Sequence, residues 1–210
     1  MTPRSRPGTR PAVRGLTALL AACAAASTLS GCADEHSTGG SRAGTGTAGH
    51  GFDAFPAAER APAPGIQGTT TRGTPLDVGD YKGKKAVVLN IWGSWCGPCD
   101  AEAPGFAKVA GESRSKGVQF VGINTRDSGT AQAIRFEEQH KLPFPSLFDP
   151  SGKLMLRIPK GSINPQFIPS TVVIDRRGRI AARAMGPLGE QQLREMLKPV
   201  IAEGRSGNRG

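Results

Sequence analysis

With 210 residues the chain suits one or two domains, but 29 glycines and 17 prolines against 37% apolar residues place part of it outside any packed core. The net charge of +10 does not mark a nucleic-acid protein: residues 1–31 hold four arginines and no acid, the remainder carries +6, and basic and aromatic residues do not interleave. Four cysteines are too few for a disulfide-built fold, and no repeat of about 20–50 residues recurs, which excludes a solenoid.

Arg4, Arg6, Arg10 and Arg14 precede an apolar run from residue 16 to residue 29. That run is shorter than the roughly 20 residues of a membrane-spanning helix, and it fits the core of a secretory signal. It ends in Leu29-Ser30-Gly31-Cys32, which resembles the bacterial lipobox. Residues 1–31 are therefore expected to be a lipoprotein signal peptide, and Cys32 the lipidated first residue of the mature chain. Cys23 lies inside the run and leaves with the signal. Two acyl chains hold firmly where one is marginal, so the protein is expected to be exported and anchored to lipid on the outer face of the cytoplasmic membrane. The residual basic charge suits a surface near anionic lipid. Arg4 and Arg6 are not adjacent, which argues against twin-arginine export.

Residues 33–65 contain no Leu, Ile, Val or Met, and only Phe52 and Phe55 offer apolar bulk. Such a segment buries too little to offset its ordering entropy, so residues 32–65 read as a flexible tether. His36 and His50 lie in it without further metal ligands nearby and read as solvated.

Residues 66–78 read as a weak hairpin turning at Arg72-Gly73, and residues 82–84 as a turn. Residues 86–92 are an almost unbroken apolar run, the pattern of a strand buried on both faces. A helix follows from Pro98 to about Ser115, with Pro98 in its first turn and Pro104 expected to kink it. Residues 118–123 form a second buried strand, and residues 130–140 a helix capped by Asp127 or Ser128. Residues 171–175 and 180–183 flank Arg176-Arg177-Gly178 as a hairpin. Residues 191–201 place Leu193, Met196, Leu197, Val200 and Ile201 at helical spacing, with Pro199 weakening the last turn. Alternating strands and helices make an α/β layer fold, one domain over residues 66–203, with 204–210 as a disordered tail.

The chemistry centres on Trp95-Cys96-Gly97-Pro98-Cys99. A CxxC between a buried strand and a helix sets its first thiol at the helix N-terminus, where free N–H groups and the dipole favour a thiolate. The second thiol lies one turn in. Zinc would need four ligands, and the chain has neither a second CxxC nor an HxxxH. No metal is expected. His140 reads as an exposed histidine at a helix end.

The run Asn90-Ile91-Trp92-Gly93-Ser94-Trp95-Cys96-Gly97-Pro98-Cys99-Asp100-Ala101-Glu102-Ala103-Pro104 resembles the TlpA/ResA branch of the thioredoxin superfamily. The pattern of that branch is N-F-W-A-T-W-C-x-P-C-x-x-E-x-P. The likeness spans about residues 66–203 and includes Ile168-Pro169-Ser170-Thr171 before a strand. It implies a thioredoxin-like fold, with a central mixed sheet flanked by helices and an N-terminal hairpin. It also implies a redox-active Cys96–Cys99 disulfide and a cis Pro169 facing it. The backbone at Ile168 and Pro169 then pairs with an extended substrate strand, with Trp95, Gly97 and Pro98 around it.

Two departures matter. Thioredoxin has a buried aspartate where Asn90 stands, and an amide cannot take the proton of the resolving thiol. Glu102, one turn past Cys99, matches the branch's glutamate and is either that proton acceptor or a helix-surface acid. Gly97-Pro98 matches thioredoxin, a reductant at about −270 mV, which favours reduction of substrates. Residues 159–167 run longer than the branch's pattern before the cis-proline, as a substrate-selecting element or a plain surface loop.

The resulting expectation is a membrane-anchored thiol:disulfide oxidoreductase without cofactor, reducing protein disulfides such as those of apocytochrome c. Its electrons would come from a membrane thiol-transfer protein. A peroxiredoxin-like peroxidase would need threonine three residues before the reactive cysteine, where Gly93 stands. A copper chaperone would use CxxxC and a distal histidine; here the spacing is CxxC and His140 precedes the cis-proline position.

Overall fold

The computed structural model describes residues 51–206; the expected signal peptide, Cys32, residues 32–50 of the expected tether and residues 207–210 lie outside the described residues. The elements run in the order β1 (Asp53–Ala54), β2 (Gln67–Thr69), β3 (Pro75–Asp77), β4 (Ala86–Trp92), α1 (Gly97–Arg114), β5 (Val118–Thr125), α2 (Thr130–Gln139), β6 (Ser146–Asp149), β7 (Ser170–Ile174), β8 (Ile180–Met185) and α3 (Glu190–Ser206). Six strands make one sheet in the order β1-β8-β7-β4-β5-β6. Strands β4, β5 and β6 pair in parallel, whereas β7, β8 and β1 run antiparallel, so the sheet is mixed as expected.

Every residue of β4 is buried, and the pleat explains why both alternate sets are apolar. Ala86 and Val88 join Phe106 and Val109 of α1 and Leu193, Met196 and Leu197 of α3 in one cluster. Val87, Leu89 and Ile91 join Ile66, Val121, Leu154 and Ile158 in another. At the C-terminal end of β4, Trp92 stacks on Phe136 of α2 with ring centroids 4.5 Å apart. The β2–β3 hairpin docks on the edge strand β6, where the Thr71 N–H donates to the Ser146 carbonyl at 2.8 Å.

Several expectations are corrected. The tether was expected to extend to Gly65, but residues 51–65 are part of the fold: β1 pairs with β8, and Phe55 packs against the core. A buried arginine organises this segment. Arg60 pairs with Asp175 at 3.0 Å and with Glu203 of α3 at 2.7 Å, and donates to the Phe55 carbonyl at 3.0 Å. The cap of α2 is Gly129, without a side-chain hydrogen bond, because Asp127 turns toward Ser94 instead. Helix α3 passes Pro199 to reach Ser206, into the expected tail. Strands β1 and β6 were not anticipated.

Candidate active site

The redox motif sits where β4 ends and α1 begins, at the C-terminal edge of the parallel strands, the usual ligand-binding edge of α/β sheets. Cys96 is the N-cap of α1, and its Sγ accepts the Cys99 N–H at 3.2 Å. Gly97 and Pro98 fill the first helical positions, where the missing proline N–H costs no hydrogen bond. Cys96 and Cys99 form a disulfide, with Cα atoms 5.2 Å apart. In this oxidised state both cysteines are covered, at 4% and 1% exposure. Gly97 and Pro98, between the two cysteines, are exposed.

Opposite the helix end, the Ile168–Pro169 peptide bond is cis. The Ile168 carbonyl oxygen lies 3.6 Å from Cys96 Sγ, so Ile168 and Pro169 face the disulfide as the resemblance implied. The Pro169 carbonyl accepts from Gly186 N–H at 2.9 Å, and Ser170 Oγ donates to the Phe167 carbonyl at 2.7 Å, which fixes the loop from both sides.

Trp95 is 53% exposed, with its indole folded over Gly93. A Cβ on Gly93 would lie 2.6 Å from the indole Nε1 and 2.7 Å from Cε2, closer than real Cβ contacts fall. Glycine at this position makes room for the tryptophan, and a peroxidase-type threonine has no space there. Gly93→Ala is accordingly expected to swing Trp95 outward and leave the fold intact. The protein has two tryptophans and Trp92 is buried, so the expected readout is greater acrylamide quenching of the exposed emission component. Unchanged quenching would show that the indole does not rest on Gly93.

Glu102 is buried at 6% exposure, which dismisses the surface-acid alternative. One carboxylate oxygen accepts from Asn90 Nδ2 at 2.9 Å and the other from the Leu188 N–H at 3.0 Å. Burial pushes this carboxyl up to about 7, against the lowering effect of the Leu188 N–H and the Asn90 amide. Asn90 therefore serves as a donor that holds Glu102. A group half-ionised near neutrality, one turn from Cys99, suits proton exchange.

Sequence reasoning missed three contacts of the site. Asp127 accepts from both the Ser94 N–H, at 3.1 Å, and Ser94 Oγ, at 2.7 Å, and so fixes the loop before Cys96. Its position just past a parallel strand was the available signal. His140, expected to be exposed, has a side chain only 9% exposed and bonds to Asp100 of α1 at 2.8 Å, tying α2 to the helix that carries the cysteines. Gly93 is the third.

The Redoxin family model matches residues 53–197, most of the described fold. The thiol-disulfide oxidoreductase ResA of Bacillus thuringiensis subsp. konkukian is 30% identical over 138 residues, covering 66% of this chain and 76% of ResA. Among solved structures, a DsbF homologue from Corynebacterium diphtheriae aligns with a TM-score of 0.66 at 30% identity, covering 73% of this chain and 95% of that one. A secreted thiol-disulfide isomerase from Corynebacterium glutamicum aligns with a TM-score of 0.67 at 27% identity, covering 74% and 95%. With a disulfide capping a helix opposite a cis-proline, on a mixed six-stranded sheet, the chain belongs to the Redoxin family as a ResA-like thiol-disulfide oxidoreductase of thioredoxin fold.

Proposed function

We propose that the protein is exported, held to membrane lipid through Cys32, and reduces disulfides of proteins outside the cytoplasm, with apocytochrome c as the substrate class the resemblance implies. The observation that carries the protein-substrate reading is the shape of the redox face. Cys96 Sγ lies against the Ile168 carbonyl, and the flanking Trp95 and Phe167 are both exposed. Small-molecule sites are concave, whereas exposed aromatics beside a disulfide at a helix end suit an extended polypeptide. Export is supported by the signal-like N-terminus and by the secreted Corynebacterium glutamicum relative. Gly97-Pro98, the thioredoxin dipeptide, supports the reducing direction.

In the proposed reaction, the Cys96 thiolate attacks one sulfur of a substrate disulfide and expels the other as a thiolate. Cys99, once deprotonated, attacks Cys96 Sγ and expels the second substrate thiolate. Two electrons pass to the substrate, and the Cys96–Cys99 disulfide remains. A membrane dithiol protein then reduces it by the same two displacements in reverse. Glu102 takes the Cys99 proton, and the Ile168–Pro169 backbone aligns the substrate strand.

Cys99→Ser removes only the resolving sulfur. This variant is expected to accumulate substrate proteins as stable mixed disulfides on Cys96 in cells, released by dithiothreitol and identified by mass spectrometry. Cytochrome c precursors among them support the substrate class. Trapping that persists when Cys96 is also replaced would place the nucleophile elsewhere and overturn the scheme.

A further inference from the structure

Between β6 and β7 the chain makes a long excursion, residues 150–169, that wraps back to the redox face. Its apolar residues Leu154, Met155, Ile158 and Ile163 are buried against the sheet, so the excursion is a fixed part of the fold. On its outer side lies a groove of about 480 Å³ whose lining includes Leu156, Ile158, Lys160, Ile163, Pro165 and Met185. Two of these walls stand open to solvent: Leu156 is 67% exposed and Met185 is 49% exposed.

Backbone pairing links the groove to the redox site. Met185 pairs in register with Ser170, the residue after Pro169, and Gly186 donates to the Pro169 carbonyl. Pro165, on the groove wall, is held by Arg126, whose guanidinium donates to its carbonyl at 2.6 Å. Arg126 adjoins Asp127, which fixes Ser94 beside the disulfide. The exposed Phe167 lies between the groove and Ile168 in sequence. An exposed apolar surface next to a reaction centre suits an interaction site.

Charge selects the occupant. Residues 150–169 contain Lys153, Arg157 and Lys160 and no acidic residue, and Lys160 lies on the groove itself. We propose that this groove docks the substrate polypeptide beside its attacked cysteine, taking a large apolar side chain flanked by acidic residues. The proposal rests on the thiol-disulfide reading above. The excursion then selects among protein disulfides, while Cys96 and Cys99 supply the chemistry.

The test uses the reduced full-length protein and three synthetic peptides, each carrying a cysteine bonded as a mixed disulfide. One has leucine and glutamate near the cysteine, one has serine in place of the leucine, and one has lysine in place of the glutamate. Oxidised glutathione serves as the small disulfide that reports the redox chemistry alone. The Leu–Glu peptide is expected to have the highest kcat/KM of the three. In Leu156→Ser/Met185→Gln, the ratio of its kcat/KM to that of oxidised glutathione is expected to fall about tenfold, the scale of a lost apolar pocket contact. Lys160→Glu is expected to invert the preference between the glutamate and lysine peptides. An unchanged ratio with unchanged preferences overturns the docking site and leaves the redox reading standing. Failure of the unmodified protein to reduce either class of disulfide would count against the redox reading itself. A dimer in sedimentation experiments that Leu156→Ser dissociates would assign the groove to a second copy and overturn the proposal.

Discussion

Arg60→Leu is expected to destabilise the fold by about 3 kcal/mol, at the lower end of the roughly 3–5 kcal/mol for breaking a buried ion pair. The Arg60 and Asp175 side chains are each only 3% exposed. Removing the guanidinium leaves Asp175 buried, but not alone. Its oxygens still accept from the Arg177 and Arg179 backbone N–H groups, each at 2.9 Å, and from the Arg179 guanidinium, which keeps the loss near the lower end. The same substitution frees Glu203, whose side chain is 44% exposed and regains water, and it orphans the Phe55 carbonyl. For a domain of this size the loss corresponds to a fall of roughly 6–12 °C in melting temperature. Glu203→Gln, which removes only the half-exposed partner, is expected to cost about 1 kcal/mol or less. Thermal melts of both variants test the pair; a loss below about 1 kcal/mol for Arg60→Leu would mean that residues 51–65 contribute little to the fold.

That arginine also shows where sequence reasoning stopped. The core strands were legible because their signal is local: Ala86–Trp92 is apolar except at Asn90, and Val118, Phe120, Val121 and Ile123 crowd the next strand, the density of apolar residues that a strand covered on both faces requires. Ile168-Pro169 was legible through resemblance. Residues 51–65 look like a tether because only Phe52 and Phe55 among them offer apolar bulk. Their anchor is instead an ion pair to Asp175, 115 positions away, a contact that no local window contains. Strand β6 was hidden for a related reason. Ser146–Asp149 is short and sits next to Pro145 and Pro150, so its turn signals outweigh its apolar content, and only pairing with β5 and the Thr71 N–H makes it a strand. In the site, the cysteines announced themselves by spacing, whereas Asp127 and Gly93 act through contacts that appear only once the loop is folded. Asp127 was in view, read as a helix cap. Its carboxylate goes to Ser94 because that contact holds the redox loop, and Gly129 leaves α2 without a side-chain cap.

Glu102→Gln is expected to change both the pH dependence of stability and the rate of mixed-disulfide resolution. In the folded oxidised protein the carboxyl is raised to about 7, chiefly by burial. In the unfolded chain it returns to about 4.3. Between these values the folded state holds a proton that the unfolded state releases, so stability falls as pH rises. The contribution is complete below about pH 4 and has been lost by a little above pH 7, a change on the order of 3 kcal/mol. Glutamine cannot titrate, so the variant should lack this slope and be relatively more stable at pH 8 than at pH 4. Its carboxamide keeps the polar contacts. The oxygen still accepts the Leu188 N–H, and the amide donates to Asn90 once the Asn90 carboxamide turns over, its own amide then facing away. Loss of activity in this variant is therefore not a loss of fold. The kinetic effect follows from the same proton. Cys99 must become a thiolate to attack Cys96, and a buried thiol resists ionisation. With Glu102 present, the proton has a buried carboxylate acceptor one helical turn away. With glutamine it must reach solvent, and general base assistance of this kind is worth roughly a hundredfold or more. Stopped-flow reduction of a model disulfide from pH 5 to pH 9 should show resolution slowed by about that factor near neutrality, with the inflection near pH 7 removed. Superimposable profiles for the two proteins would reduce Glu102 to a buried acid that Asn90 and Leu188 hold in place, with no part in moving the proton.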